Sequence, residues 1–246
     1  MAWLKKPAPT WLLLVAIIGI ALATNFNGIT TTLKTALLPK PDFTLTASPN
    51  PAPVLEEGQG YRQHGTIIKI GAQNDFTGTV NIAVSSLPPG LYFWISGPGS
   101  AFFPGPEQSV NLTFTTTLIG DYPVVVTGVS GGLSHSLTVT VMAQGLTLGP
   151  NSITVPQGSS TSSKVTVTSL NGLAGNFTVS YAPETPPHID PGFEASGTPS
   201  IIIAADGTAT LTITIITTAQ FYQGFLSIAI TTPLGIRGLV LPIVAA

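Results

Sequence analysis

The densest group of chemically capable residues is His188-Ile189-Asp190, with Glu184 and Glu194 close by on either side. A histidine held by a carboxylate can act as a general base toward a serine, and clustered acids can supply oxygen ligands to calcium. Neither arrangement has its signature. No Gly-x-Ser-x-Gly elbow occurs, and the acid spacing matches no defined calcium loop. The other histidines, His64 and His135, stand apart, and the ten acids mark out no pair for glycoside hydrolysis. Cysteine is absent, which removes thiol nucleophiles, thiolate zinc, iron-sulfur clusters and disulfides together. The expectation is no catalytic residue, no metal ligand, no cofactor and no enzyme. The loop from Pro183 to Gly192 reads as solvated, and so does the turn at Glu56-Glu57 before Gly58.

Two features point to binding or modification instead. Leu91 to Ile95, continuing toward Phe102 and Phe103, concentrates aromatics in a chain with nineteen of them. On a strand, Tyr92 and Trp94 share one face, either exposed for sugar rings or a protein partner, or packed under the following Gly/Pro loop or against the neighbouring domain. Asn111-Leu112-Thr113 and Asn176-Phe177-Thr178 match the N-glycosylation sequon, making Asn111 and Asn176 the candidate glycan carriers.

The elements that would position these residues are strands. Gly and Pro supply 48 of 246 residues and charged residues only 7%, while 43% of the chain is hydrophobic. That is too apolar for a disordered chain and too turn-rich for helices. Residues 42–144 and 145–246 repeat one pattern. Thr66–Ile70 and Val165–Val167 alternate apolar residues with period two; Phe76–Val84 corresponds to Leu173–Tyr181, Val110–Phe114 to Ala209–Ile215, and Gly120–Thr127 to Gly224–Thr231. Last strands are expected at Ser136–Val141 and Gly238–Val244, with a new strand opening the second half near Leu146. About six or seven strands per hundred residues, without crossover helices, predicts an all-β chain of two tandem sandwiches.

Ahead of them, Lys5 and Lys6 precede a thirteen-residue apolar run, Trp11–Ala23, which ends in small residues. Residues 1–23 therefore read as a signal peptide cleaved after Ala23 or, uncleaved, as a hydrophobic membrane-anchor helix through 11–23; both place the rest outside the cytoplasm. Residues 24–41, closed by Pro39 and Pro41, read as an extended tether, or as an exchangeable strand over Phe26–Leu38 offered to a neighbour's sheet edge.

Ser169-Leu170-Asn171-Gly172-Leu173-Ala174-Gly175 and Leu87-Pro88-Pro89-Gly90 resemble motifs of the tandem immunoglobulin-like modules of archaeal and bacterial surface proteins. The resemblance covers residues 42–246 and implies Greek-key sandwiches on the cell surface, without implying an activity. With a formal net charge of -2 and no basic cluster in the sandwiches, nucleic acid is not an expected partner. The expected role is an exported, non-catalytic structural or adhesion protein whose partners are other surface proteins, glycans or copies of itself. A filament subunit joined by residues 24–41 and a carbohydrate-binding module are the alternatives.

Overall fold

A computed structural model describes residues 39–56, 64–96, 100–102 (backbone only), 107–184 and 192–246. The expected signal or anchor helix over 1–23 lies outside these residues, as does most of the tether. Residues 42–246 form one compact unit, and the described residues are strands, turns and loops without a helix.

In the first sandwich, β1 (Asp42–Ser48) pairs antiparallel with β3 (Gly65–Gln73), β3 with β7 (Glu107–Thr116), and β7 with β5 (Leu91–Ser96). The facing sheet runs β6 (Ser100–Phe102), β4 (Thr79–Ser85), β8 (Gly120–Ser130), β9 (Leu133–Gly149). Short β2 (Ala52–Leu55) lies parallel to β9. Alternation decides which side chains face inward: in β3 Ile68 and Ile70 are buried while Ile67 and Lys69 point out. Phe43, Phe114, Leu112, Val126 and Val139 fill the space between the sheets.

The second sandwich repeats this order. The latter part of β9 pairs with β11 (Ser160–Leu170), β11 with β15 (Thr208–Thr217), and β15 with β13 (Phe193–Gly197). Opposite lie β10 (Ile153–Val155), β17 (Gly235–Ala245), β16 (Gln223–Thr232), β12 (Gly175–Glu184) and β14 (Ser200–Ile203), with β10 parallel to β17. Phe177, Leu211, Ile213, Leu226 and Ile228 form its core. With the short β2, β6, β10 and β14 set aside, each sandwich has its first, second, fifth and fourth strands on one sheet and its last two and third on the other, the immunoglobulin-like Greek-key arrangement.

The strands read separately as Ser136–Val141 and the opening strand near Leu146 are a single strand. β9 runs for 17 residues from one sandwich into the other, the last strand of the first and the first strand of the second. No turn residue interrupts it: Met142-Ala143-Gln144-Gly145 stays extended, and a Cβ at Gly145 would lie 2.7 Å from Cδ1 of Ile119, whose side-chain end would have to shift. One sheet of each sandwich is thereby joined into a continuous eight-stranded sheet.

Candidate functional site

β5 is the edge strand of its sheet, and its outward positions carry Tyr92 and Trp94, 59% and 49% exposed. Across the strand pair they face Thr115 and Thr113, and the Thr113 hydroxyl donates to the Trp94 carbonyl at 3.3 Å. The reading in which these rings are packed away is corrected: each keeps about half its surface in solvent, because it lies on the outer pleat of an edge strand. Asn111 lies on the same face, opposite Ser96, and Asn176 is exposed on β12 beside Ile202 of β14. Two flat rings two residues apart, bordered by hydroxyls and without a charge opposite, suit stacking on a neutral ring system.

The joint between the sandwiches holds the most densely connected polar groups. Glu56 is buried there rather than solvated, which corrects the sequence expectation. Its carboxylate lies 3.0 Å from the Arg237 guanidinium, both side chains nearly closed off from solvent at 11% and 13% exposure. The Glu56 amide donates to the Gln144 carbonyl at 2.7 Å, and the Gln144 side chain donates to the Asn171 carbonyl at 3.0 Å. Asn171, at φ +55° in the turn between β11 and β12, sends its side-chain amide to the Asp121 carboxylate and the Ala143 carbonyl, each at 3.0 Å. The Ser-Leu-Asn-Gly motif is therefore a latch across the joint. Ser169 braces it by donating to the Leu173 carbonyl, and the Asp206 carboxylate accepts from the Gly172 amide. Leu55, next to Glu56, belongs to the second sandwich's core although β2 belongs to the first.

The residue of β9 in register with Arg237 of β17 is His135, since Ala52 opposes Val141 as Ile153 opposes Ile243. His135 closes its own sandwich: Nε2 is 2.7 Å from the Asp42 carboxylate, and the ring stands edge-on to Phe43 at 4.7 Å. The His135 hydrogen bond, then the Phe43 amide, hold the Asp42 carboxyl below its ordinary value. A depressed carboxylate contributes stability that is present above the unfolded pKa near 3.8 and lost as pH falls through the lower folded value. In a His135→Gln variant the Asp42 carboxyl resonance should titrate closer to 3.8, and an unchanged midpoint would show that the histidine is not the cause. In the second sandwich, burial pushes the Tyr181 hydroxyl up to about 12, so it stays protonated and donates to the Thr198 carbonyl at 2.9 Å.

His188, Asp190 and Glu57 lie outside the described residues. Glu184 and Glu194 are exposed on β12 and β13, and among the described residues no three His, Asp or Glu side chains converge to hold a metal. Sequence reasoning missed an apolar strip on the outer face of the second sandwich, where Phe225, Val240 and Val244 are exposed on β16 and β17 with Tyr222 nearby. Its signal was the alternate register of strands chosen for their inward residues.

No known family matches the chain, and no curated protein matches it in sequence. Among solved structures it overlaps a three-domain titin fragment, I67–I69, at 12% identity and TM-score 0.30, covering 84% of this chain and 65% of that one. It overlaps domains 4 and 5 of the S-layer protein SbsC at 15% identity and TM-score 0.27, covering 83% and 98%. E. coli alpha-2-macroglobulin overlaps at 12% identity and TM-score 0.39, covering 84% of this chain and 17% of that chain. At such scores the overlaps carry no functional meaning, and the fold assignment stands on the strand pairing above.

Proposed function

We propose that this chain is an exported, non-catalytic surface module: a stiff spacer that presents its outer faces at a fixed mutual orientation. The observation that carries this reading is the joint, where β9 passes through without a turn and Glu56–Arg237 and Asn171 clamp its flanks. Export is supported by the order of charge, apolar run and small residues over 1–23. Because the chain has no native cysteine, spin labels can be placed on engineered cysteines at exposed Thr44 and Thr178. Double electron–electron resonance should then give one narrow distance distribution. A broad or two-peaked distribution would mean a hinge, and the spacer reading would fail.

A second reading, carbohydrate binding, is favoured by the exposure of Tyr92 and Trp94 together on one strand face. A glycan array should then reveal a neutral oligosaccharide ligand, and Trp94→Ala should weaken it roughly tenfold by removing one stacking ring. No ligand, or binding unaltered in the variant, removes this reading. Asn111 borders the same face, so a glycan attached there would compete with such a ligand; intact mass of the exported protein before and after deglycosylation reports whether Asn111 and Asn176 are modified.

A further inference from the structure

The two sandwiches differ at one place where their strand pairing is otherwise the same. On the open side of the first, between β1 and β9, Asn50 acts as a side-chain bridge: its amide nitrogen donates to the Thr138 carbonyl at 3.0 Å and its oxygen accepts from the Thr140 amide at 2.9 Å. With the Asp42–His135 pair and the Phe43–His135 contact, the free edge of β9 is covered. In the second sandwich Asn151 follows Pro150 as Asn50 follows Pro49, but the residue in register with Thr140 is Pro242, which has no amide hydrogen to give. Arg237, in register with His135, is turned to Glu56 in the joint. What remains is a cleft of about 490 Å³ between β9 and β17, lined mainly by Leu146, Leu148, Asn151, Leu239 and Pro242, with Arg237 also on its wall.

Two strand edges border this cleft. Among the described residues, β9 over Leu146–Gly149 pairs only with β11, and β17 over Gly235–Pro242 pairs only with β16, because β10 covers no more than Ile243–Ala245. Such an edge with an apolar floor is a template for an added strand.

We infer that the cleft takes the segment Phe26–Leu38 of a second copy of this chain, laid along β17 in line with β10. That segment alternates Ile29, Thr31, Leu33, Thr35 and Leu37, and it ends at Pro39 and Pro41, which cannot continue a ladder. Its one charge, Lys34, falls on the opposite alternation from Ile29 and Leu33. Reach decides for a second copy. Asp42 is anchored at His135, and the cleft begins beside Gln144, nine strand steps or about 30 Å away. At about 3.3–3.6 Å per residue, bridging that distance within one chain consumes residues from about 33 to 41, leaving most of the alternating run outside the cleft. The inference goes beyond the spacer reading, since a rigid pair of sandwiches needs no neighbour.

The test places a photoreactive benzoylphenylalanine at Leu33 of the full chain. Unlabelled and ¹⁵N-labelled protein are denatured, mixed, refolded together and irradiated. Mass spectrometry should find crosslinks from position 33 to Leu146–Leu148 or Arg237–Pro242 in peptides of mixed isotope. Crosslinks within one isotope only, crosslinks mapping elsewhere, or none, would overturn the inference. Pro242→Thr restores the amide that Asn151 can bridge. It should cut the mixed crosslinks about tenfold while the circular dichroism melt stays that of a folded protein, one lost edge pairing being worth about 1.4 kcal/mol. Undiminished crosslinking in a folded Pro242→Thr chain would equally sink the assignment of this cleft.

Discussion

Arg237→Ala is expected to lower the stability of the chain by about 3–5 kcal/mol, the usual cost of stranding a buried charge. Glu56 has little solvent to turn to: its side chain is 11% exposed, its amide is committed to the Gln144 carbonyl, and Gly145 is packed beside it. Glu56→Ala should cost a similar amount by leaving the guanidinium behind. Removing both, as Glu56→Ala with Arg237→Ala, should cost clearly less than the sum, because the two substitutions destroy one shared interaction. The surface pair Lys69–Glu107, at 3.2 Å with both side chains about half exposed, is the internal control; Glu107→Ala should change stability by less than about 1 kcal/mol. Urea denaturation of the four variants checks all of this at once. Equal, small effects for Glu107 and Arg237 would show that the joint is wet and adds little.

The contrast between these two ion pairs also shows where the sequence could be read and where it could not. Period-two alternation sets which side chain faces inward, and that property is local; Ile68, Ile70, Val165 and Val167 were legible as core for that reason. Glu56 was not. Glu56-Glu57 before a glycine has the composition of a solvated turn, and what buries Glu56 is Arg237, which lies 181 positions later in the chain. The fused strand escaped for a related reason. The repeat divides the halves between Gln144 and Gly145, so a strand end was expected there, whereas the backbone runs extended through both. The aromatic pair was half legible: alternation put Tyr92 and Trp94 on one face, but only the pairing of β5 at the sheet edge says that this face is the outer one. The open cleft depends on Asn151, Pro242 and two β ladders together, so no single stretch of sequence announces it.

A large effect of a core change is expected at Phe177. Its ring is completely buried in the second cluster, alongside Leu173, Ile203 and Ile228, and Phe177→Ala should cost about 3–5 kcal/mol through lost transfer energy and an unfilled cavity. Phe114→Ala, equally buried in the first cluster, should cost about the same. The more telling quantity is how many transitions each variant shows. If the second sandwich unfolded alone, the first would lose the partners of Gln144 and Asp121, expose Leu55, and carry a loose half of β9. Burying Leu55 is worth about 1.5–3 kcal/mol and each neutral hydrogen bond about 1 kcal/mol, so separate unfolding carries a penalty of several kcal/mol. Differential scanning calorimetry should therefore show one transition in the parent chain, shifted downward as a whole in both variants. Two transitions, with Phe177→Ala moving only one of them, would mean that the joint transmits little free energy and that the latch at Asn171 sets orientation without coupling stability.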